Sequence, residues 1–352
     1  MSNELPVLVE IRRGAIVESR HRGAIVLASP DGKVLSQIGD AHLATSTRST
    51  IKPIQALPII TSGAADHFNL TSRELAAACA SHEGETIHTE AAAAMLARAG
   101  LDETALRCGA HAPYSPEAAK QLELDGLPFN QLHNNCSGKH AGMLMTAVYR
   151  GLSIEDYVSP AHPIQREIIK TLSRLGDLRE DLPTAIDGCS APTFGVPLSS
   201  LAVAFARMVN AASDDESAIV LDSNLAQAAK RAVKAMIEFP EMIGGTKGRF
   251  DTDLLRTARG KLICKVGAEA VYSVGVLPCE RFPRGLGIAF KMEDGSYRGL
   301  APTVVETLAQ LGLLDEMEVT QLATYHRPII DNRRGFHVGE VRTIFDIGFD
   351  KR

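Results

Sequence analysis

The feature that most constrains this chain is strand-like sequence at both ends with helical sequence between. Near the start, Val7-Leu8-Val9-Glu10-Ile11 and Gly23-Ala24-Ile25-Val26-Leu27-Ala28 are apolar runs of strand length. Pro30-Asp31-Gly32 then supplies a turn before Val34-Leu35-Ser36-Gln37-Ile38, the pattern of a hairpin. The same grammar returns near the far end. Leu262-Ile263-Cys264-Lys265-Val266 and Ala270-Val271-Tyr272-Ser273-Val274 flank a Gly267 turn. Gly287-Ile288-Ala289-Phe290-Lys291 is read as meeting Tyr297-Arg298 across Asp294-Gly295, a third hairpin signal.

Between these ends the periodicity is helical. Thr71-Ser72-Arg73-Glu74 is a capping box, and the Ala-rich stretch 90–99 stops at Gly100. Further helices are expected over 116–124, 139–149, 163–175, 198–211, 224–238 and 303–311. Neither end alone has enough strands and cover for a stable core, so the two should share a sheet. The expected class is α/β, with a mixed sheet built from N- and C-terminal strands plus a mainly helical region. The expected domains are a discontinuous sheet domain, 1–60 with 260–352, and a helical domain, 61–259, with the active site between them.

Composition excludes several functions. A chain of 352 residues buries about three quarters of its unfolded surface, so it needs neither disulfide nor metal merely to fold. Its 37 Lys+Arg against 42 Asp+Glu give a net charge of −5, and it has no Trp. That balance suits a small or neutral substrate better than nucleic acid. Met1-Ser2-Asn3-Glu4-Leu5-Pro6 lacks the basic and apolar regions of a signal peptide. No apolar run reaches the roughly 18 residues that suggest a membrane span. A cytoplasmic protein with reduced thiols is expected, without membrane contact. The six cysteines are scattered without a CxxC pair, and most of them read as buried small hydrophobes.

Several polar islands could carry chemistry. In Arg48-Ser49-Thr50-Ile51-Lys52, a helix would put Ser49 and Lys52 on one face. A hydroxyl is a weak nucleophile until a base takes its proton. Lysine can be that base only when burial or nearby cations depress its pKa. The plainer alternative is a capping serine beside a solvated lysine. Ser81-His82-Glu83-Gly84-Glu85 ends the capped helix; His82 could be a general base or could simply bond to backbone. His133-Asn134-Asn135-Cys136-Ser137-Gly138-Lys139-His140 is the densest polar cluster and precedes an apolar helix. Cys136 with Cys189 of Asp187-Gly188-Cys189 would suit zinc, although CxxK is not a usual zinc signature. Gly244-Gly245-Thr246-Lys247-Gly248-Arg249 lacks Walker spacing and reads as a surface loop. Lys265, at a strand end before Gly267, reads by default as exposed.

Taken in order, these islands resemble the L-asparaginase II family, the class 3 or Rhizobium-type asparaginases. The resemblance rests on Arg48-Ser49-x-x-Lys52-Pro53, Cys79-Ala80-Ser81-His82-x-Gly84-Glu85, His133-Asn134-x-Cys136-Ser137-Gly138-Lys139-His140, Asp187-Gly188-Cys189 and Lys265-x-Gly267-Ala268-Glu269-Ala270. It implies a β-lactamase-like fold, related to serine β-lactamases and penicillin-binding proteins, and hydrolysis of L-asparagine to L-aspartate and ammonia. It implies two Ser–Lys tandems, Ser49 with Lys52 and Ser81 with Lys265, a zinc held by Cys136, Lys139 and Cys189, and a homodimer. An amino-acid substrate needs a cation for its carboxylate, for which Arg48 is the candidate. It needs an acid for its ammonium, for which Asp187 or Glu83 is the candidate. His82 and Asn135 complete the expected substrate contacts. Two other readings use the same residues: a β-lactamase-like serine acyl hydrolase and a non-catalytic zinc or amino-acid binder. Against the first, the chain has no Ser-Asp-Asn or Lys-Thr-Gly element.

Overall fold

The computed structural model describes residues 4–213 and 215–349. Residues 1–3, part of the leader reading, and residues 350–352, the end of the expected sheet domain, lie outside them. Strands β1 (Val7–Arg13) and β2 (Ile16–Ala28) form one hairpin, and β3 (Val34–Ile38) pairs with β2 as expected. Short β4 (Ala44–Ser46), β5 (Thr184–Ile186) and β6 (Pro192–Pro197) make a separate small sheet in the order β4-β6-β5. The distal strands are β7 (Leu262–Gly267), β8 (Val271–Val276), β9 (Leu286–Met292), β10 (Ile329–Asp331) and β11 (His337–Thr343).

The large sheet has eight strands and runs β10-β11-β1-β2-β9-β8-β7, with β3 also on β2. The two ends of the chain therefore interleave: β1 pairs with β11, and β2 pairs with β9 from Gly23 opposite Met292 to Ala28 opposite Gly287. Its described pairings are all antiparallel, where a mixed sheet was expected. The reason is topological, since neighbouring strands are hairpins or opposed segments from the two ends and none is joined by a parallel crossover. One expected hairpin is not one. Tyr297 and Arg298 open the helix Tyr297–Gln310, because the Ser296 side chain accepts from Arg298 N and caps it.

The helix Leu198–Asn210 lies directly on β2, β8 and β9. A Cβ at Gly287 would come within 1.8 Å of the Ala202 carbonyl oxygen, so glycine is what lets helix and sheet approach. Helix Tyr297–Gln310 packs on β1, β9 and β11. Helices Ser72–Ala78, Thr86–Arg98 and Ser137–Tyr149 pack on one another, and one apolar cluster joins them to the sheet. Among the described residues no helix is long and apolar enough to cross a membrane.

Candidate active site

Four segments converge at the end of β7. The first is the short turn Arg48–Ile51, which runs into the helix Lys52–Gln55. A Cβ at Gly267 would meet the Thr50 backbone nitrogen at 3.2 Å, so the glycine after Lys265 and Val266 lets this turn sit against the strand. Arg48 holds a left-handed φ of 43°, a conformation costly for a side chain with a Cβ and often kept at working sites. The second segment follows the capped helix Ser72–Ala78 and carries Ser81, whose amide donates to the Ile243 carbonyl. The third is the start of helix Ser137–Tyr149, where Asn134 Oδ1 accepts from Cys136 N. The fourth is the tip of β5–β6, carrying Asp187, Gly188 and Cys189.

These segments enclose a cavity of about 670 Å³. Arg48, Ser49, Ser81, Asn135, Cys136, Asp187 and Cys189 line it, all of them expected site residues. Lys52 is buried behind the wall, and its Nζ donates to Ser81 Oγ (2.9 Å) and to the Asn135 carbonyl (3.1 Å). The lysine expected to serve Ser49 is thus bonded to the serine of the other tandem. Burial holds Lys52 below the usual lysine range. Lys265 is completely buried rather than exposed, donates to the Val266 carbonyl (2.9 Å), and lies 3.6 Å from Asp251. Burial, with Lys52 and Arg249 adding to it and Asp251 opposing, brings Lys265 down to about 8. Arg48 donates through Nε to Asp187 Oδ1 (3.0 Å), so the two groups expected at a zwitterion's opposite charges face each other.

Two expected substrate contacts stand differently. His82 is fully buried: Gly84 N donates to its Nδ1 (3.2 Å), its Nε2 meets Ser137 Oγ (3.0 Å), and its ring stacks on His88. Burial first, then the charges of His88 and Lys52, hold it well below the usual histidine range, so it is a neutral internal brace. Glu83 is ion-paired to Arg249 and does not line the cavity, so of the two expected acids Asp187 is the one that faces it. Arg249 itself lines the cavity, and its Nη2 donates to the Ser81 carbonyl (3.3 Å). The segment 244–249 is therefore more than a surface loop, since Glu83 N donates to the Gly244 carbonyl at 2.7 Å.

Arg249, Asp251, His111, Tyr297 and Tyr325 also line the cavity and carry no motif spacing that would single them out. The Arg249-Phe250-Asp251 step, opposite charges one residue apart at a helix start, is the one signal available. Cys136, Lys139 and Cys189 are all buried, with Lys139 Nζ 3.1 Å from Cys189 Sγ. The Cys136 thiol and the Lys139 ammonium hold Cys189 well below the usual thiol range. Of the six cysteines, all free, five are buried as expected and Cys279 is exposed.

No curated protein matches the chain. Among solved structures, a probable glutaminase from Bacillus subtilis complexed with 6-diazo-5-oxo-L-norleucine aligns at 11% identity, covering 83% of this chain and 84% of that one, with a TM-score of 0.40. Mglu in its native form aligns at 14% identity, covering 84% and 66%, with a TM-score of 0.42. The sequence family is the decisive match, since the L-asparaginase II family covers residues 9–343. With the match spanning nearly the whole described chain and every one of its polar islands, this protein is an amidohydrolase and belongs to the L-asparaginase II family.

Proposed function

We propose that the enzyme hydrolyses the side-chain amide of L-asparagine to L-aspartate and ammonia, using Ser49, Lys52, Ser81 and Lys265. The observation that carries this reading is the buried Lys52–Ser81 contact at 2.9 Å beside a cavity walled by the Arg48–Asp187 pair. Amide hydrolysis needs a nucleophile, a base that later acts as acid, and donors for the developing oxyanion. Ser49 faces the cavity and supplies the hydroxyl. Lys52 lies three residues from Ser49 in sequence and is bonded to Ser81 in space. In this reading it receives the Ser49 proton by way of Ser81 and returns it to departing ammonia, and water then releases the aspartyl group from Ser49. Ser81 and Lys265 relay that proton or stabilise the charge that develops. Arg48 meets the substrate carboxylate and Asp187 its ammonium, each exchanging its present partner for a substrate group.

The zinc reading finds support in the donor set. Two thiols and a lysine amine converge in a buried pocket beside Ser81, with Lys139 Nζ 3.1 Å from Cys189 Sγ. Among the described residues no cage of three or more His, Cys, Asp and Glu forms, and this triad, with two such residues and a lysine, is of another kind. Cys136, Lys139 and Cys189 would hold the ion. Bound there, zinc would act as a Lewis acid toward an amide or water oxygen. The same reading has a cytoplasmic homodimer acting on a small molecule, with the site between the sheet domain, 1–60 with 260–352, and the helical domain, 61–259.

Ammonia release tests the proposal. Purified protein should release ammonia from millimolar L-asparagine, and act at least about a hundredfold more weakly on L-glutamine, whose extra methylene misplaces the amide by about 1 Å. No ammonia above a heat-killed control overturns the substrate assignment.

A further inference from the structure

We infer that Asp251 is a positioning residue for Lys265: its carboxylate fixes the amine at the sheet edge and balances the charge the amine acquires on taking up a proton. The inference rests on the proposed role of Lys265 and goes one residue beyond it. β7 is the last strand in the sheet order, and its outer side is covered by the helix Phe250–Ala258. From the second residue of that helix, Asp251 Oδ2 accepts the Val266 amide (3.2 Å) and lies 3.6 Å from Lys265 Nζ. The carboxylate is 2% exposed, and its other oxygen, Oδ1, has no hydrogen-bond partner. A buried acid with half its capacity unmet is costly unless a cation compensates it. Lys265 is the cation within reach.

The segment around Asp251 is clamped on both sides. Before it, Arg249 pairs with Glu83 and donates to the Ser81 carbonyl. After it, Tyr325 Oη donates to Asp253 Oδ2 at 2.6 Å. Within it, Cys264 Sγ donates to the Asp251 carbonyl at 3.6 Å. The carboxylate therefore cannot drift from the amine without loosening contacts to Ser81 and to β7. The charged and titratable groups around Lys265 are Asp251, Lys52, Arg249, and the Cys264 and Cys79 thiols, with Tyr272 facing Asp251. Only Asp251 is a carboxylate. Burial and two cations oppose a proton on Lys265, and Asp251 is the largest of the charges around it and favours the proton, with Cys264 adding a smaller effect in the same direction.

The substitution D251N isolates the charge, because the asparagine oxygen can still accept the Val266 amide. The rate is followed from pH 6 to 10 on both L-asparagine and L-glutamine, using whichever the wild type hydrolyses faster. The expected result is a kcat lowered about a hundredfold with KM nearly unchanged. The acid limb of the profile should also move to lower pH by about one unit, because a nearby anion no longer favours the protonated amine. A kcat near wild type, or a lower kcat with the acid limb unmoved, overturns the inference. In a K265A background D251N should add no further loss; a further tenfold loss would mean that Asp251 acts elsewhere. If D251N does not fold, D251E answers instead. Retained charge displaced by a methylene should lower kcat and leave the acid limb in place, while wild-type kcat would overturn the positioning role. Wild-type turnover by K265A would instead overturn the role of Lys265 itself, a result separable from all of these.

Discussion

Lys139 and Lys265 are both buried lysines, each beside residues that line one cavity, yet their surroundings drive them in opposite directions. Burial disfavours the charge on both. Around Lys139, the Cys189 and Cys136 thiols and the Asp187 carboxylate more than reverse that, and the amine stays above the usual lysine range. Around Lys265, Lys52 and Arg249 add to burial, one carboxylate opposes it, and the amine falls to about 8. Depth alone does not decide whether a buried lysine is a cation or a base. The sign and number of its neighbours do. A lysine held beside thiols and a carboxylate is suited to an ion-pair cluster and must surrender its proton before it can ligate a metal, whereas one lowered by burial and neighbouring cations is suited to exchange protons.

The largest effect should come from removing the proton-exchanging end. K52R and K265R keep a positive charge and much of the bulk but cannot be deprotonated, so each should lower kcat by about a thousandfold, within the range for lost general acid–base catalysis. S49A should do the same. Because groups acting as a unit lose function non-additively, S49A/K52R should be scarcely worse than either single variant. Near wild-type turnover in K265R would erase the contrast between the two lysines.

The thiol end is broken by loss of metal rather than by loss of rate. Protein dialysed without chelator should carry about one zinc per chain, as one tetrahedral site requires. C136S and C189S should each abolish it, measured by elemental analysis. K265R should keep it, since that lysine stands apart from the thiols. Metal-free wild type, or zinc retained in both serine variants, would show that these cysteines are not ligands.

The pH profile sharpens the comparison by a smaller factor. Only neutral Lys265 can take up a proton, and its value of about 8 puts the charged form below that pH. Activity should therefore fall about tenfold per pH unit below pH 8 and level off above it, read as kcat/KM. A flat profile from pH 6 to 9 would show that Lys265 works as a fixed cation.

Much of this was legible in the sequence, for reasons that differ by element. The exposed helix Pro116–Leu124 follows directly from Ser115 as cap and Pro116 as first residue, both local signals. The interleaving of β2 with β9 follows only from counting strands at each end, because no local signal joins residues more than two hundred apart. The polar islands gave seven of the expected site residues in the cavity wall, since each island pairs polar side chains with a glycine or a helix start. Arg249 and Asp251 were not legible. Their roles depend on Glu83 and Lys265 meeting them across the fold, and spacing within one segment carries no trace of that. His82 is the converse case, since a histidine beside a serine has the same local sequence whether its ring faces a substrate or braces a turn.

The smallest effect separates groups that serve the reaction from groups that serve the fold, and His82 is the test. Its Nδ1 accepts the Gly84 amide and its Nε2 meets Ser137, so both nitrogens are used inside the protein. H82Q retains a donor that can reach Ser137 but leaves the Gly84 amide without its partner. An unpaired buried amide costs about 1–3 kcal/mol. For a chain of this size each kcal/mol lowers Tm by about 2–4 °C, so a drop of a few degrees is expected in a calorimetric melt. KM for L-asparagine and kcat should stay within about twofold of wild type, because neither the ring nor its partners Ser137 and Gly84 line the cavity. A tenfold rise in KM with an unchanged melt would return His82 to the substrate side. The contrast between Lys139 and Lys265 would survive that result, but the boundary of the site would then have to include the stacked pair His82 and His88.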